Sequence, residues 1–304
     1  MQIGNYRVIR TLASGEVTET FLVSADGPGG SGAPRVLKRV LAAVAGQEDL
    51  VATFRAEAQR AARLDHPNVV RVVDAGEADG RPFLVTEYVD GPTVRRLLQW
   101  AAAQRLPLPP GLCAKLVSLA AEGLAYAHAV LDVEGQGPFQ EGVDPRDVRP
   151  ENVWVSREGV VKVGDFGMTR SEAQDLRTRA SRLEHKLPYL SLAYVQGQPQ
   201  VVGDAVYALG MMLYELLTGR YPFDATDTVA LFKAILSESF VPAVERRLDL
   251  PEALQRILER ALTKDREQRY ADCRAFQADL ERFILSLDEP VGPDALARWA
   301  AAVT

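Results

Sequence analysis

Apolar residues change their spacing about a third of the way along the chain. Before that point short β-branched and aromatic runs with partial alternation predict strands: Tyr6-Arg7-Val8-Ile9-Arg10, Thr20-Phe21-Leu22-Val23 and residues 35–40. Residues 26–32, between the last two, are too rich in glycine and proline for regular structure and predict a solvated hairpin loop. Residues 54–64 repeat apolar positions at helical spacing and put Phe54, Glu57 and Ala61 on one sheet-facing side. Residues 65–76 predict a turn entering a strand, with His66 capping the turn, and 82–91 a strand that runs out into a connector ending at Gly91. From Thr93 the pattern is helical, over Val94–Gln104 and 111–130, interrupted by Pro107, Pro109 and Pro110. Trp100, Leu116, Leu119, Leu124 and Tyr126 are candidate core residues of these helices. The last residues, 296–303, predict a short helix with an apolar face that packs back on the domain or docks a partner.

Composition narrows the class. A chain of 304 residues with 47% hydrophobic residues buries a sizeable core, as one large domain or two lobes. A formal net charge of −6 gives no electrostatic reason to expect nucleic acid or an anionic membrane surface as partner. Cys113 and Cys273 are the only cysteines and are not spaced as metal ligands, so neither a disulfide framework nor a zinc site is expected, and a reducing compartment is. Residues 1–10 lack a basic-then-apolar signal pattern, and no charge-free apolar run approaches the roughly 18–20 residues of a membrane span. The expectation is a cytoplasmic protein with no integral membrane segment.

The chemistry is concentrated between residues 145 and 167: Pro145-Arg146-Asp147-Val148-Arg149-Pro150-Glu151-Asn152, the runs Val153-Trp154-Val155 and Val160-Val161-Lys162-Val163-Gly164, then Asp165-Phe166-Gly167. Two carboxylates and an amide on loops flanking short strands can converge on one divalent cation and one hydroxyl, which is the equipment of phosphoryl transfer. The stretch resembles the catalytic loop and metal-binding segment of protein kinases, H-R-D-x-x-x-x-N followed by D-F-G, and the chain resembles the bacterial, eukaryotic-like (Hanks-type) Ser/Thr protein kinases.

That resemblance implies an α+β, bilobal kinase-like fold: a small β-rich N-lobe with one main helix over 1–87, a hinge and larger helical C-lobe over 88–288, and a helical tail over 289–304. It also implies ATP and Mg²⁺ as cofactors. Asp147 would accept or orient the substrate hydroxyl proton, Asn152 and Asp165 would hold Mg²⁺, and Arg149 stands where these kinases place a lysine near the transferred phosphoryl. Lys38, in Arg35-Val36-Leu37-Lys38, would steady the phosphates. Glu57, an inward-facing carboxylate that needs a cation, would pair with it. Leu12, Gly15, Thr20 and Val36 would surround the nucleotide, with Glu16 and Glu19 adding negative charge beside its phosphates. Backbone groups of Glu87 and Val89 would meet the adenine edge, with Thr86 gating the pocket behind.

Several supporting positions depart from the family pattern. Ala13 and Thr18 replace the outer glycines of the nucleotide loop, and Pro145 replaces the catalytic-loop histidine. Ala205 stands where an aspartate braces that loop, with Asp204 one residue early as a substitute. Ser191-Leu192-Ala193 replaces A-P-E, so Arg269 must find a partner other than that glutamate. Two functions follow: a Ser/Thr kinase with weak or partner-dependent phosphoryl transfer to a protein, or a pseudokinase whose nucleotide-dependent shape regulates a partner protein. Tyr189-Leu190-Ser191 resembles a peptide-docking loop. Thr169, Ser171, Thr178 and Ser181 are candidate regulatory phosphorylation sites, with Arg146 as receiver and Arg177, Arg179 and Arg182 nearby.

Overall fold

The structure is a computed structural model that describes residues 1–25, 32–132, 148–165, 187–196, 198, 201–223, 227–237, 240–288 and 291–303. Asp147 lies outside these residues, as do Pro145, Arg146, the loop 26–31, and the segment 166–186 with the candidate phosphorylation sites Thr169, Ser171, Thr178 and Ser181 and the neighbouring Arg177, Arg179 and Arg182.

Six strands form one antiparallel sheet in the order β1-β2-β3-β4-β6-β5: β1 (Gln2–Ile3), β2 (Tyr6–Ser14), β3 (Thr18–Ala25), β4 (Pro34–Val40), β5 (Val72–Ala78) and β6 (Arg81–Glu87). The β5–β6 hairpin turns at Asp79-Gly80, with φ of 53° and 69°, the left-handed pair that a two-residue hairpin turn of this twist requires. Successive residues of a strand point to opposite faces. Phe21, Val23, Leu37, Phe83 and Val85 therefore make one apolar layer, closed by Ile3 and Tyr6. On the other face Val40 and Leu84 meet Phe54 and Ala58 of α1 (Glu48–Ala61).

The second lobe contains α2 (Val94–Gln104), α3 (Pro110–Asp132), the hairpin β7 (Val153–Val155) and β8 (Val161–Val163), then α4 (Val202–Thr218), α5 (Thr228–Ser237), α6 (Glu252–Leu262), α7 (Cys273–Leu285) and α8 (Pro293–Ala302). The Thr93 hydroxyl caps α2 by accepting from the Arg96 N–H, and the left-handed Arg105 ends it. Helix α4 is buried on every side, as its continuous apolar run dictates, and α3, α6 and α7 pack around it. Leu116 and Leu124 are core residues as expected, and Trp100, Leu119 and Tyr126 pack against that core half-buried. Both cysteines lie in it as free thiols. Burial pushes the Cys113 thiol up to about 12 and raises that of Cys273 as well, so neither is a nucleophile at neutral pH.

The two lobes meet through residues 66–70. The Val163 N–H donates to the Asn68 carbonyl (2.9 Å), the Val70 N–H to the Val163 carbonyl (2.8 Å), and the Asn68 amide nitrogen to the Val161 carbonyl (2.8 Å). His66 caps this turn, its Nδ1 accepting from the Asn68 N–H while the ring stacks on Tyr126. Helix α3 comes so close that a Cβ on Gly123 would lie 2.5 Å from the Asn68 carbonyl oxygen and 3.0 Å from Val163 Cγ2.

That contact yields a counterintuitive expectation. Alanine is the better helix former by about 1 kcal/mol, yet Gly123→Ala should lower stability by about 1–3 kcal/mol, because backbone must move to admit the methyl group. A urea midpoint equal to or above that of wild type would remove the steric account.

Candidate active site

In an antiparallel sheet, residues paired across strands share a face. Lys38 is paired with Thr20 on β3 and Leu84 on β6, and Val36 with Leu22 and Thr86. These residues share the face on which α1 lies, so they form the ceiling of a cleft. Gly15 is in the β2–β3 turn, its N–H donating to the Thr18 carbonyl (2.8 Å), and Leu12 is part-exposed on β2.

The floor is the open end of the β7–β8 hairpin. Register pairs Val153 with Val163, so the flanking residues Asn152 and Gly164 lie side by side, and the Gly164 N–H donates to the Asn152 carbonyl (3.0 Å). Gly164 is required there: a Cβ would lie 2.8 Å from Val70 Cγ2 and 3.1 Å from the Trp154 ring. Asp165 follows with φ 58°, a left-handed conformation that costs a residue with a side chain roughly 1–2 kcal/mol. Strain of this kind gathers at functional sites.

Across the cleft Lys38 Nζ donates to Asp165 Oδ1 at 2.8 Å. Among the described residues this is the ion pair Lys38 makes, in place of the expected pair with Glu57. Glu57 is on the inward face of α1, 2% exposed, as its register required. The carboxylate that meets the ammonium is instead the one at the open end of the hairpin.

Glu19 also differs from expectation. It lies on the opposite face from Lys38, where its carboxylate accepts from Arg39 (Nε 3.0 Å, Nη2 2.7 Å) and from Arg81 (3.1 Å), so it is neutralised there and adds no charge beside the cleft. Glu87, at the end of β6, uses its carboxylate to accept from the Arg71 N–H and from Lys162 Nζ, both at 2.8 Å. It thus ties the connector to β8. Val89, next in the connector, accepts from the Gly91 N–H (3.0 Å). Lys162 had no distinguishing signal: a lysine between two valines reads as an outward, solvated position.

Beneath the hairpin, Arg95 of α2 gathers Glu151 (2.7 Å), Glu215 (2.6 Å) and the hydroxyls of Tyr189 (2.9 Å) and Tyr221 (3.1 Å), while the Tyr189 hydroxyl donates to Glu215. Burial raises the Glu215 carboxyl above its usual range against the opposing pull of Arg95. This network fixes the residue before Asn152 to the 187–190 segment and to α4. Arg149 is half-buried at the start of the same loop.

Among the described residues Asp204 answers arginines of the 264–269 segment. It is buried at the start of α4, paired with Arg269 (3.4 Å) and Arg266 (2.9 Å), and accepts from the Val201 N–H (2.9 Å). It is the partner that Arg269 needed, and Arg269 also donates to the Thr263 and Lys264 carbonyls.

The protein kinase domain profile matches residues 6–280. The chain belongs to the protein kinase family. Among curated relatives it is 34% identical over 281 residues to "Tyrosine-protein kinase MasK" of Myxococcus xanthus, covering 92% of this chain and 43% of MasK. It is 34% identical over 248 residues to "Serine/threonine-protein kinase PknB" of Mycobacterium leprae, covering 80% of this chain and 37% of that one. With "Serine/threonine-protein kinase PrkC" of Bacillus subtilis it shares 28% over 284 residues, 91% of this chain and 40% of PrkC. The chain therefore spans about two-fifths of the length of these curated relatives. The solved kinase domain of Mycobacterium tuberculosis PknI superposes with a TM-score of 0.65 at 26% identity, over 93% of this chain and 97% of that one. These relatives place the kinase in the bacterial, Hanks-type branch, and the bilobal α+β fold is that of the family. Among the described residues no helix is long and apolar enough to cross a membrane.

The Asp204 cluster gives this kinase a testable buried charge. Asp204→Leu removes the carboxylate that two arginines share and should cost about 3–5 kcal/mol, whereas Asp204→Leu combined with Arg269→Met should recover a large part of that loss. Equal urea midpoints for the single and double variants would show that the pair is not coupled.

Proposed function

We propose that this chain binds Mg²⁺-ATP between ceiling and floor and transfers the γ-phosphoryl, slowly or with a partner's help, to a serine or threonine hydroxyl of a protein. The observation that carries this reading is the Lys38–Asp165 pair: a cation on the sheet and a strained carboxylate on the hairpin meet at 2.8 Å, beside Asn152. Among the described residues no three His, Cys, Asp or Glu side chains gather into an all-protein cage. One carboxylate beside one amide suits a hard cation that arrives with phosphate and water as its other ligands, which is how Mg²⁺ is usually held. Bound Mg²⁺ supplies neutralisation of the phosphate charge.

The residues divide the remaining work. Asp165 and Asn152 offer their side-chain oxygens to the cation, and Lys38 passes from Asp165 to the phosphates. The pair is easily exchanged: Asp165 is 40% exposed, and pairs open to solvent contribute about 0–1 kcal/mol. Val36, Leu12 and Thr20 flank the base and ribose, Gly15 turns the loop above the phosphates, and backbone groups of Glu87 and Val89 meet the adenine edge. Glu57 closes α1 against the sheet behind Lys38. Asp147 accepts or orients the substrate hydroxyl proton, and Arg149 supports the transferred group.

A second reading, a nucleotide-binding regulator without transfer, is favoured by two observations. Gly15 spends its N–H on Thr18 within the turn, and Lys38 already neutralises the candidate metal ligand. Because MasK carries the name of a tyrosine kinase, the acceptor must be read out rather than assumed.

Incubation with radiolabelled ATP and Mg²⁺, followed by acid hydrolysis and phosphoamino-acid separation, tests both readings. Label should appear on serine or threonine and fall by about a hundredfold or more in Asp147→Asn and Lys38→Met. Nucleotide binding without incorporation, with candidate partners present, leaves only the regulator. No nucleotide binding at all removes both.

A further inference from the structure

The match to the kinase family ends at residue 280, but the chain goes on to place α8 against the hairpin that carries Asn152 and Asp165. A Cβ on Gly159 would lie 2.0 Å from the Pro293 carbonyl oxygen and 3.1 Å from the Ala297 nitrogen, so the backbone of α8 rests directly on the β7–β8 turn. Gly159 has φ 79°, so two constraints demand glycine there. Leu296 and Ala300, one helical turn apart, are buried beneath α8, and Trp299 stands edge-on to Trp100 of α2 with ring centroids 5.5 Å apart. The approach to the helix is packed too: a Cβ on Gly111 would lie 2.6 Å from Leu287 Cδ1 and 3.0 Å from Val291 Cγ2.

A two-stranded hairpin is at best marginally stable without a helix or further strands against it. This one has strands of three residues, which at about 3.3 Å per residue put the start of its turn roughly 13 Å from Asn152 and Gly164. Its open end is held by Asn68 and Val70. Its closed end is held by the connector, where the Arg157 N–H donates to the Asp90 carbonyl (2.8 Å) and the Val155 N–H to the Pro92 carbonyl (3.0 Å), and by α8.

We propose that α8 is a positioning element of the active site: by clamping the turn at Gly159 it sets the spacing of Asn152 and Asp165 at the other end of the hairpin. What docked α8 controls is metal-dependent nucleotide affinity; the metal role of those two residues rests on the function proposed above.

The full chain is compared with Gly159→Val and with the undocking variant Leu296→Asp/Ala300→Asp. Gly159→Ala and Leu296→Ala serve as milder versions should either fail to fold by circular dichroism. Trp100 and Trp299 report undocking through tryptophan fluorescence. Two readouts are taken: hydrogen–deuterium exchange over 152–165, and the Mg²⁺ midpoint for binding of a fluorescent ATP analogue, with EDTA as the metal-free arm. Undocking should unprotect the Gly164 amide and raise the Mg²⁺ midpoint by about tenfold or more, within the range that small misplacements of a constellation produce. Metal-free affinity should not move, a split that a general loss of folded protein would not give. Undocked helix with unchanged protection at Gly164 overturns the proposal. If wild type shows no Mg²⁺-dependent binding, the nucleotide reading fails by itself, and exchange at Gly164 still decides whether α8 braces the hairpin.

Discussion

Asn68 and Val70 exchange backbone hydrogen bonds with Val163, and Asn68 adds its side-chain amide to the Val161 carbonyl. A three-residue strand has unpaired N–H and C=O groups along its outer edge, and buried groups of that kind cost free energy unless they find partners. Those partners come from the segment that joins α1 to β5, so the edge chemistry of β8 fastens one lobe to the other. It also sets the height at which the hairpin ends. Asn152, Gly164 and Asp165 follow from that height, and Lys38 meets Asp165 because the sheet is held at the matching level. Gly123 and Gly164 permit this closeness, since either Cβ would collide with the segment.

Among the described residues, four acids away from Asp165 meet cations in the same way. Glu19 is taken up by Arg39 and Arg81, Glu87 by Lys162, Glu215 by Arg95, and Asp204 by Arg266 and Arg269. An acid removed from water without a cation is expensive, and each of these acids reaches at least one cation from an element distant in sequence. Asp165 is the most exposed of the five acids and the one whose backbone is strained. A carboxylate kept open to solvent, at a conformational cost, is suited to exchanging its partner; the other four are suited to staying put. Arg269 shows how a lost family partner is replaced. The glutamate of A-P-E is absent, and an aspartate at the start of α4 occupies its electrostatic role.

Local signals carried most of the architecture. Strand positions, the inward face of α1, the helix over Val94–Gln104 and the short C-terminal helix were legible because each depends on periodicity. Glu57 was legible as a buried acid because helical register alone turns it inward, but its neighbour across space was not. Glu19 was misplaced because a hairpin residue near a glycine loop reads as part of that loop, while pleat parity sends it to the other face. Lys162 carried no signal, since alternation with valine looks the same whether the lysine meets water or Glu87.

Periodicity and turn chemistry thus marked the elements, and the resemblance carried by the motif between residues 145 and 167 implied the α+β bilobal class and named Lys38, Asn152 and Asp165 as candidates for one site. Only the tertiary structure decided which charges pair, that Asp204 answers Arg269, and that α8 bears on the hairpin turn. The reason is physical: register and pattern act over a few residues, whereas an ion pair or a glycine contact is settled by backbone segments that meet only after the chain has packed.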